Sequence, residues 1–405
     1  MTALVAKQLV AKQLLAKQLL AKPSIAKPAV TLFAAIALLH MVGCGGATKA
    51  KPAKLERIDA TQSASVLWSK DAGSSVNRDA VMLTPFVSDK FVFAVDGEGK
   101  LTSFDIETGA AGWSVELDIT ITSGVSGDED NLYVATGNGD VYAISQLHGG
   151  TLWTSSVSSE VIAAPAAGED YVVVRSIDGK VYALEKSSGE RRWIYTYSVP
   201  ALSIHGNGRP TVVEDGVLVG LDNGNLVALR GADGRVFWEI PLGNSSGRSE
   251  VENLNDLDAD VQVFEPFIYA VNYQGSVAQV DATQGSAVWS SEVSSVAGLA
   301  VSEEQVIVTD EFDTVWAFNR TDGETLWKQE GLENRRLTGP VITDSGVIAV
   351  GDLSGYLHLL SAEDGEIVGR LKTGVGAIAG RPVVREDSVF VQGRDGRIAA
   401  VDLSQ

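Results

Sequence analysis

The sequence has one cysteine in 405 residues, Cys44. It therefore forms no internal disulfide and no multi-cysteine metal site. It is also short of base, with 32 lysines and arginines against 52 aspartates and glutamates. Five of those lysines (Lys7, Lys12, Lys17, Lys22 and Lys27) fall within the first 43 residues, which hold no acid. The remainder carries 27 basic against 52 acidic residues, a formal charge of −25. Such a surface repels phosphate backbones, which excludes nucleic acid as a partner. Histidine is equally sparse. His148, His205 and His358 lie far apart and fit no standard metal spacing, so no metal and no cofactor is expected. The stretch "GNSSG" at 243–247 matches Gly-x-Ser-x-Gly. That motif needs a turn from a buried strand into a long helix, and no helical scaffold surrounds it. The chain is not expected to be an enzyme.

Long apolar runs are absent except one, "AVTLFAAIALLHMVG" at 29–43. Fifteen residues are too few for a comfortable membrane span but suit the apolar core of a signal peptide. The tetrad Met41-Val42-Gly43-Cys44 resembles a bacterial lipobox, with methionine in place of the usual leucine. The resemblance implies cleavage before Cys44, diacylglycerol on its thiol and acylation of the new amine. Two or more acyl chains anchor a protein stably. Gly45, where an aspartate favours the inner membrane, implies sorting to the periplasmic face of the outer membrane. Upstream, "AKQLVAKQLLAKQLLAKPSIAKPAV" repeats every five residues, a period that matches neither helix nor strand. The organisation expected is a signal peptide at 1–43, a lipidated cysteine and flexible tether at 44–60, and one globular body at 61–405.

That body repeats itself. "AVDGEGKLTSFDIETGAAGW" ends at Trp113, "VATGNGDVYAISQLHGGTLW" at Trp153 and "VRSIDGKVYALEKSSGERRW" at Trp193. Further copies end at Trp238, Trp289, Trp327 and Gly369, and an eighth stops with the chain. Each copy runs from an apolar stretch through a Gly/Asp/Asn turn into an alternating strand. A second turn ending in glycine follows, and after three intervening residues the tryptophan. Period-two alternation bounded by such turns means antiparallel hairpins. With one more apolar stretch between copies, each repeat supplies four strands. Eight four-stranded repeats of about forty residues are the signature of a β-propeller. The tryptophans are expected to lie between neighbouring blades. The eighth copy lacks its last strand, whereas "SVLWSKDAG" around Trp68 is a spare strand near the other end. Residues 65–70 are therefore expected to complete the last blade and close the ring, removing two open edges.

The rhythm breaks once. Tryptophan spacing is 40 or 45 up to Trp238 and 51 from Trp238 to Trp289. The extra residues include "SEVENLNDLDADV" at 249–261, with Leu254 and Leu257 among acids. Ser249 and Glu252 fit a capping box. An insertion between blades adds surface without disturbing the core, so this segment is expected to be an exposed strip of leucines with a charged rim. The alternative is a solvated loop whose leucines tuck against the blade.

"DIETGAAGW" (105–113) resembles the repeat of the quinoprotein dehydrogenases, which use pyrroloquinoline quinone with a vicinal cysteine pair and a calcium site. No cysteine pair exists here. An eight-bladed lipoprotein of this kind resembles the BamB family, accessory subunits of the outer-membrane β-barrel assembly (BAM) complex. Two motifs carry that resemblance: "ALSIHGNGRP" at 201–210, where the family shows Leu-Ser-Leu-Arg-Gly, and "LNDLDAD", where it shows Leu-Ser-Asp-Val-Asp. The resemblance implies that Leu202, Ile204, His205, Asp256 and Asp258 bind the central subunit BamA. It further implies that the chain works with the other BAM subunits and on unfolded outer-membrane proteins. His205 replaces an arginine and lacks its permanent planar charge, with Arg209 nearby. The rival expectation is a periplasmic lipoprotein binding a quinone or other small ligand in the propeller funnel.

Overall fold

The computed structural model describes residues 51–76, 81–203, 206–243 and 255–404. The signal region and Cys44 lie outside them. Every regular element among the described residues is a β-strand, and the strands form eight four-stranded antiparallel sheets. Seven are sequential blades at 86–116, 126–156, 166–196, 211–241, 262–292, 299–329 and 341–372. The eighth joins three strands within 383–402 to the strand Ser65–Asp71. That strand runs antiparallel to Arg397–Asp402, with Ser65 opposite Asp402 and Asp71 opposite Arg397. The inner strands of blades 8 and 1 touch, and the ring is closed.

Burial explains the composition of each strand. Second and third strands lie between neighbouring blades and are covered on both faces, as in Tyr171–Ser176, which is buried throughout. They are accordingly near-continuous runs of Val, Ala, Leu and Tyr. Outer strands such as Val236–Pro241 alternate exposed and half-buried residues, because only one face meets a neighbour.

The tryptophan-to-glycine spacing is a seam device. Seven indoles, from Trp68 to Trp327, each donate to a backbone carbonyl of the next blade at 2.7–3.0 Å. The next blade's second-turn glycine lies on the indole face. At Gly189, φ is +73°, and a β-carbon would sit 2.6 Å from the Trp153 ring. Glycine alone provides both the left-handed backbone and the close approach. Trp68 makes the same contact across the closure, between Phe104 and Phe390 with ring centroids 6.1 and 6.2 Å away.

Between blades 7 and 8 the device is missing, since Gly369 stands where a tryptophan would. The chain before the first strand takes that place. Thr61 and Gln62 both donate their amides to the Val368 carbonyl at 2.9 Å. Farther back, Arg370 Nη1 donates to the Glu56 carbonyl at 2.9 Å. Arg335 Nη1 donates to the Ala53 carbonyl, and the Ala53 amide to the Glu333 carbonyl, both at 2.8 Å. Leu55 packs on the apolar seam of blades 6 and 7. Residues 53–60, expected to be flexible tether, are thus strapped along blade 7. Charged, unpatterned side chains concealed this, because the strap is held mainly through its backbone.

Candidate partner-binding loops

Turns between second and third strands, and the connections from blade to blade, lie on one face of the ring. The connection from blade 3 to blade 4 carries Leu202, and that from blade 4 to blade 5 carries Asp256 and Asp258. Leu202 is 41% exposed. Ile204, His205, Leu254, Ser249 and Glu252 lie outside the described residues.

The two aspartates are not the charged rim that the sequence suggested. Asp256 is 1% exposed and Asp258 3%. Their carboxylates turn inward onto Asp222, from the turn between the second and third strands of blade 4, and oxygens of all three lie within 4.8 Å of one another. Among the described residues this trio is the grouping that could ligate a cation. Arg175, from the second strand of blade 3, pairs with Asp222. Its Nε donates to the Tyr197 hydroxyl at 3.3 Å, and that hydroxyl donates to Asp222 Oδ2 at 2.7 Å. Ser203 Oγ, next to Leu202, donates to Asp256 Oδ2 at 2.5 Å. The cluster therefore braces the Leu202 loop against the next connection. Arg209 adds a second tie, donating its amide and Nε to Asp260 at 2.8 and 2.9 Å.

Leu257 is also buried, among Leu218, Leu226 and Ile268 between blades 4 and 5. The inserted segment is in this part a plug rather than a strip, and the alternative of a tucked leucine describes Leu257. Gly206 permits the arrangement, since a β-carbon there would fall 1.9 Å from the Asp258 β-carbon. Burial pushes the Asp258 carboxyl up to about 7, and the charges of Asp256 and Asp222 act in the same direction against the pull of Arg175.

Arg175, Tyr197 and Asp222 were not singled out from the sequence. Arg175 did leave a signal. It ends the run Val172-Val173-Val174 at the position of Ala135 in the preceding blade, and a cation in such a run requires a buried counter-charge.

A central cavity of about 500 Å³ opens beside the cluster, lined by Arg209, Asp258, Asp260, Thr338 and Arg381 among others. Arg381 Nε donates to the Pro340 carbonyl at 3.1 Å. No cysteine lines the cavity, so the residues do not fit the quinone environment of the dehydrogenases. His358 is fully buried and polar in role. Its Nε2 lies 2.9 Å from Asp352 Oδ2, and Arg370 Nε donates to its Nδ1 at 3.1 Å.

Comparison with known proteins bears on both readings. The model of the family described as outer membrane protein assembly factor BamB matches residues 50–122, 98–329 and 312–405. BamB of Alkalilimnicola ehrlichii is 41% identical over 372 residues, 92% of this chain and 96% of that protein. The crystal structure of BamB from Moraxella catarrhalis is similar at a TM-score of 0.77 and 27% identity, covering 84% of this chain and all of that one. A quinohemoprotein alcohol dehydrogenase of Comamonas testosteroni superposes at a TM-score of 0.68 with 14% identity, covering 84% of this chain and 76% of that one. At that identity the likeness is one of fold.

Proposed function

Because the chain belongs to the BamB family of outer-membrane protein assembly factors, we propose that it is a non-catalytic scaffold of the assembly machinery. It is tethered by lipid on Cys44 to the periplasmic face of the outer membrane. It holds the central subunit BamA and thereby assists folding and insertion of outer-membrane β-barrels.

The observation that carries the contact is an exposed apolar side chain on a braced loop. Leu202 projects from a segment whose next residue is hydrogen-bonded to the buried aspartate cluster. Val296 and Phe312, 43% and 67% exposed, lie on the same loop face. Apolar anchors on a preorganised surface bind with little ordering cost. Asp256 and Asp258 act here as positioning residues that set the loop, not as charges presented to the partner.

The test is affinity purification from solubilised membranes with mass spectrometry of the captured proteins. Wild-type protein should retain BamA, and Leu202→Asp should lose it while keeping its circular dichroism. Retention of BamA by Leu202→Asp would remove this loop from the interface. A small-ligand reading has the central cavity in its favour. A bound quinone seen by absorbance on the purified protein would support it in place of the scaffold.

A further inference from the structure

We propose that the strap at residues 53–62 orients the whole propeller on the bilayer, with the loop-face rim of blades 6 and 7 toward the lipid surface and blades 2 and 3 away from it. The inference rests on the reading of Cys44 as the lipid anchor. It adds which side of the ring faces the membrane.

Three observations carry it. The first is where the chain leaves the ring. Ala53 is fastened at both its amide and its carbonyl to the connection between blades 6 and 7, through Glu333 and Arg335. Arg335 is itself buried, with Nε donating to Asp352 Oδ2 at 2.8 Å, so the fastening point is part of the core. From there the strap descends the outer strand of blade 7, past Arg370 and Val368, into the closing strand.

The second is length. Eight residue steps separate Cys44 from Pro52, which span at most about 28 Å when fully extended. A compact unit formed by residues 52–405 has a radius of gyration of about 20 Å and is about 50 Å across. A propeller resting on the rim of blades 2 and 3 would hold Pro52 farther from the lipid than that tether reaches. Had residues 53–60 been free, the reach would have nearly doubled and the constraint would vanish.

The third is charge. Lys51, Lys54 and Arg57 are exposed, Lys49 precedes them, and Glu56 and Asp59 are the acids among them. This net-basic stretch sits on a body, residues 61–405, with 23 basic against 50 acidic residues, a formal charge of −27. Basic residues beside a lipid anchor are drawn to anionic headgroups, whereas the acidic remainder of the ring is repelled. The same arrangement places the loop face that carries Leu202 on the face from which the chain departs, within reach of a membrane-embedded partner.

The experiment uses the full-length lipidated protein in vesicles containing anionic phospholipid. Once Cys44 is acylated, an introduced cysteine is the free thiol. Glu333→Cys, at the strap outlet, and Asn138→Cys, on the same face across the ring in blade 2, are each labelled with an environment-sensitive fluorophore. Quenching by brominated lipid is expected to be several-fold greater at position 333. Equal quenching at both positions, or greater quenching at 138, overturns the orientation. Inserting twenty Gly/Ser residues between Thr48 and Lys49 should abolish the contrast, and a contrast that survives would show that the short tether is not its cause. Palmitate labelling of the same preparation separates the two claims. Unlabelled protein sinks the anchor reading and the orientation with it, whereas labelled protein with equal quenching sinks the orientation alone.

Discussion

The side-chain amide of Gln62 donates to the carbonyl of Leu403 at 2.8 Å. Leu403 follows the third strand of its blade, as Ile106 and Ala362 follow theirs, and those carbonyls accept the indoles of Trp68 and Trp327. Gln62 thus makes, across the seam of blades 7 and 8, the bond that tryptophan makes at the other seven. Gln62→Ala should cost about 1 kcal/mol, the usual worth of such a bond. Deleting residues 51–62 should cost more, because the Arg335 and Arg370 contacts go too. Chemical denaturation of the three proteins checks the order, and equal midpoints would show that the strap adds nothing to the ring.

Ring closure should be far more sensitive. Deleting residues 61–72 removes the outer strand of blade 8 and exposes its neighbour's edge. Trp68 leaves with it, and tryptophan-to-alanine changes in a core cost about 3–5 kcal/mol. The expected product aggregates or is unfolded by circular dichroism. A deletion mutant that melts within a few degrees of wild type would contradict closure by that strand.

Gly189→Ala tests the seam device at one blade. It forces a β-carbon onto the Trp153 ring at positive φ, and left-handed strain alone costs about 1–3 kcal/mol. Alanine at Gly346, where φ is +83° and no atom lies within 4 Å, carries the strain without the collision. Gly189→Ala should therefore be the more destabilising of the two by denaturant midpoint.

Asp258 should make stability fall as pH rises. Its folded pKa is raised from 3.8 to about 7, so the folded state favours the proton. That advantage is complete below about pH 4 and is lost as pH rises through 7. Asp258→Asn should remove the loss and be more stable than wild type at pH 8. Charge reversal of Asp256 and Asp258 together should unfold blades 4 and 5, because lysine in place of a buried, tightly packed aspartate has no room and no solvent. Melting curves at pH 5 and pH 8 decide both. An unaltered melt in the double reversal would mean that these side chains are exposed after all.

His358 and Asp352 should act with the opposite sign. Burial holds the His358 ring below its usual value, against the pull of Asp352, and Arg370 and Arg335 lower it further. Burial opposes ionisation of Asp352, but hydrogen bonds from His358, Tyr356 and Arg335 outweigh it and hold the carboxyl at about 2. Both folded values are depressed. Their stabilisation is present above the unfolded values and is lost on acidification, first below about pH 6.5 for His358 and then from about pH 4 toward 2 for Asp352. His358→Gln should flatten the first limb of the stability–pH profile only. A mutant profile that parallels wild type between pH 7 and 5 would exclude His358 as its source.

The blades, their number, the tryptophan seams and the closing strand were legible in the sequence because each rests on a pattern local to forty residues. Alternation, a turn glycine and an indole at fixed spacing mean the same thing in every copy. The family motifs were legible too, and they fall in the connections from blade 3 to blade 4 and from blade 4 to blade 5. What they could not convey was which way Asp256 and Asp258 face. An aspartate in an acidic loop is ordinarily solvated. Here Arg175, some eighty residues earlier in the chain, and the Ser203 hydroxyl receive the cluster, and Gly206 leaves room for it. The strap was hidden for a related reason. Its contacts run from the guanidinium groups of Arg335 and Arg370 to main-chain carbonyls, and a backbone carbonyl looks alike in every sequence. Local periodicity determined the ring. Whether a polar group is buried or bound was decided by partners that only ring closure brings together.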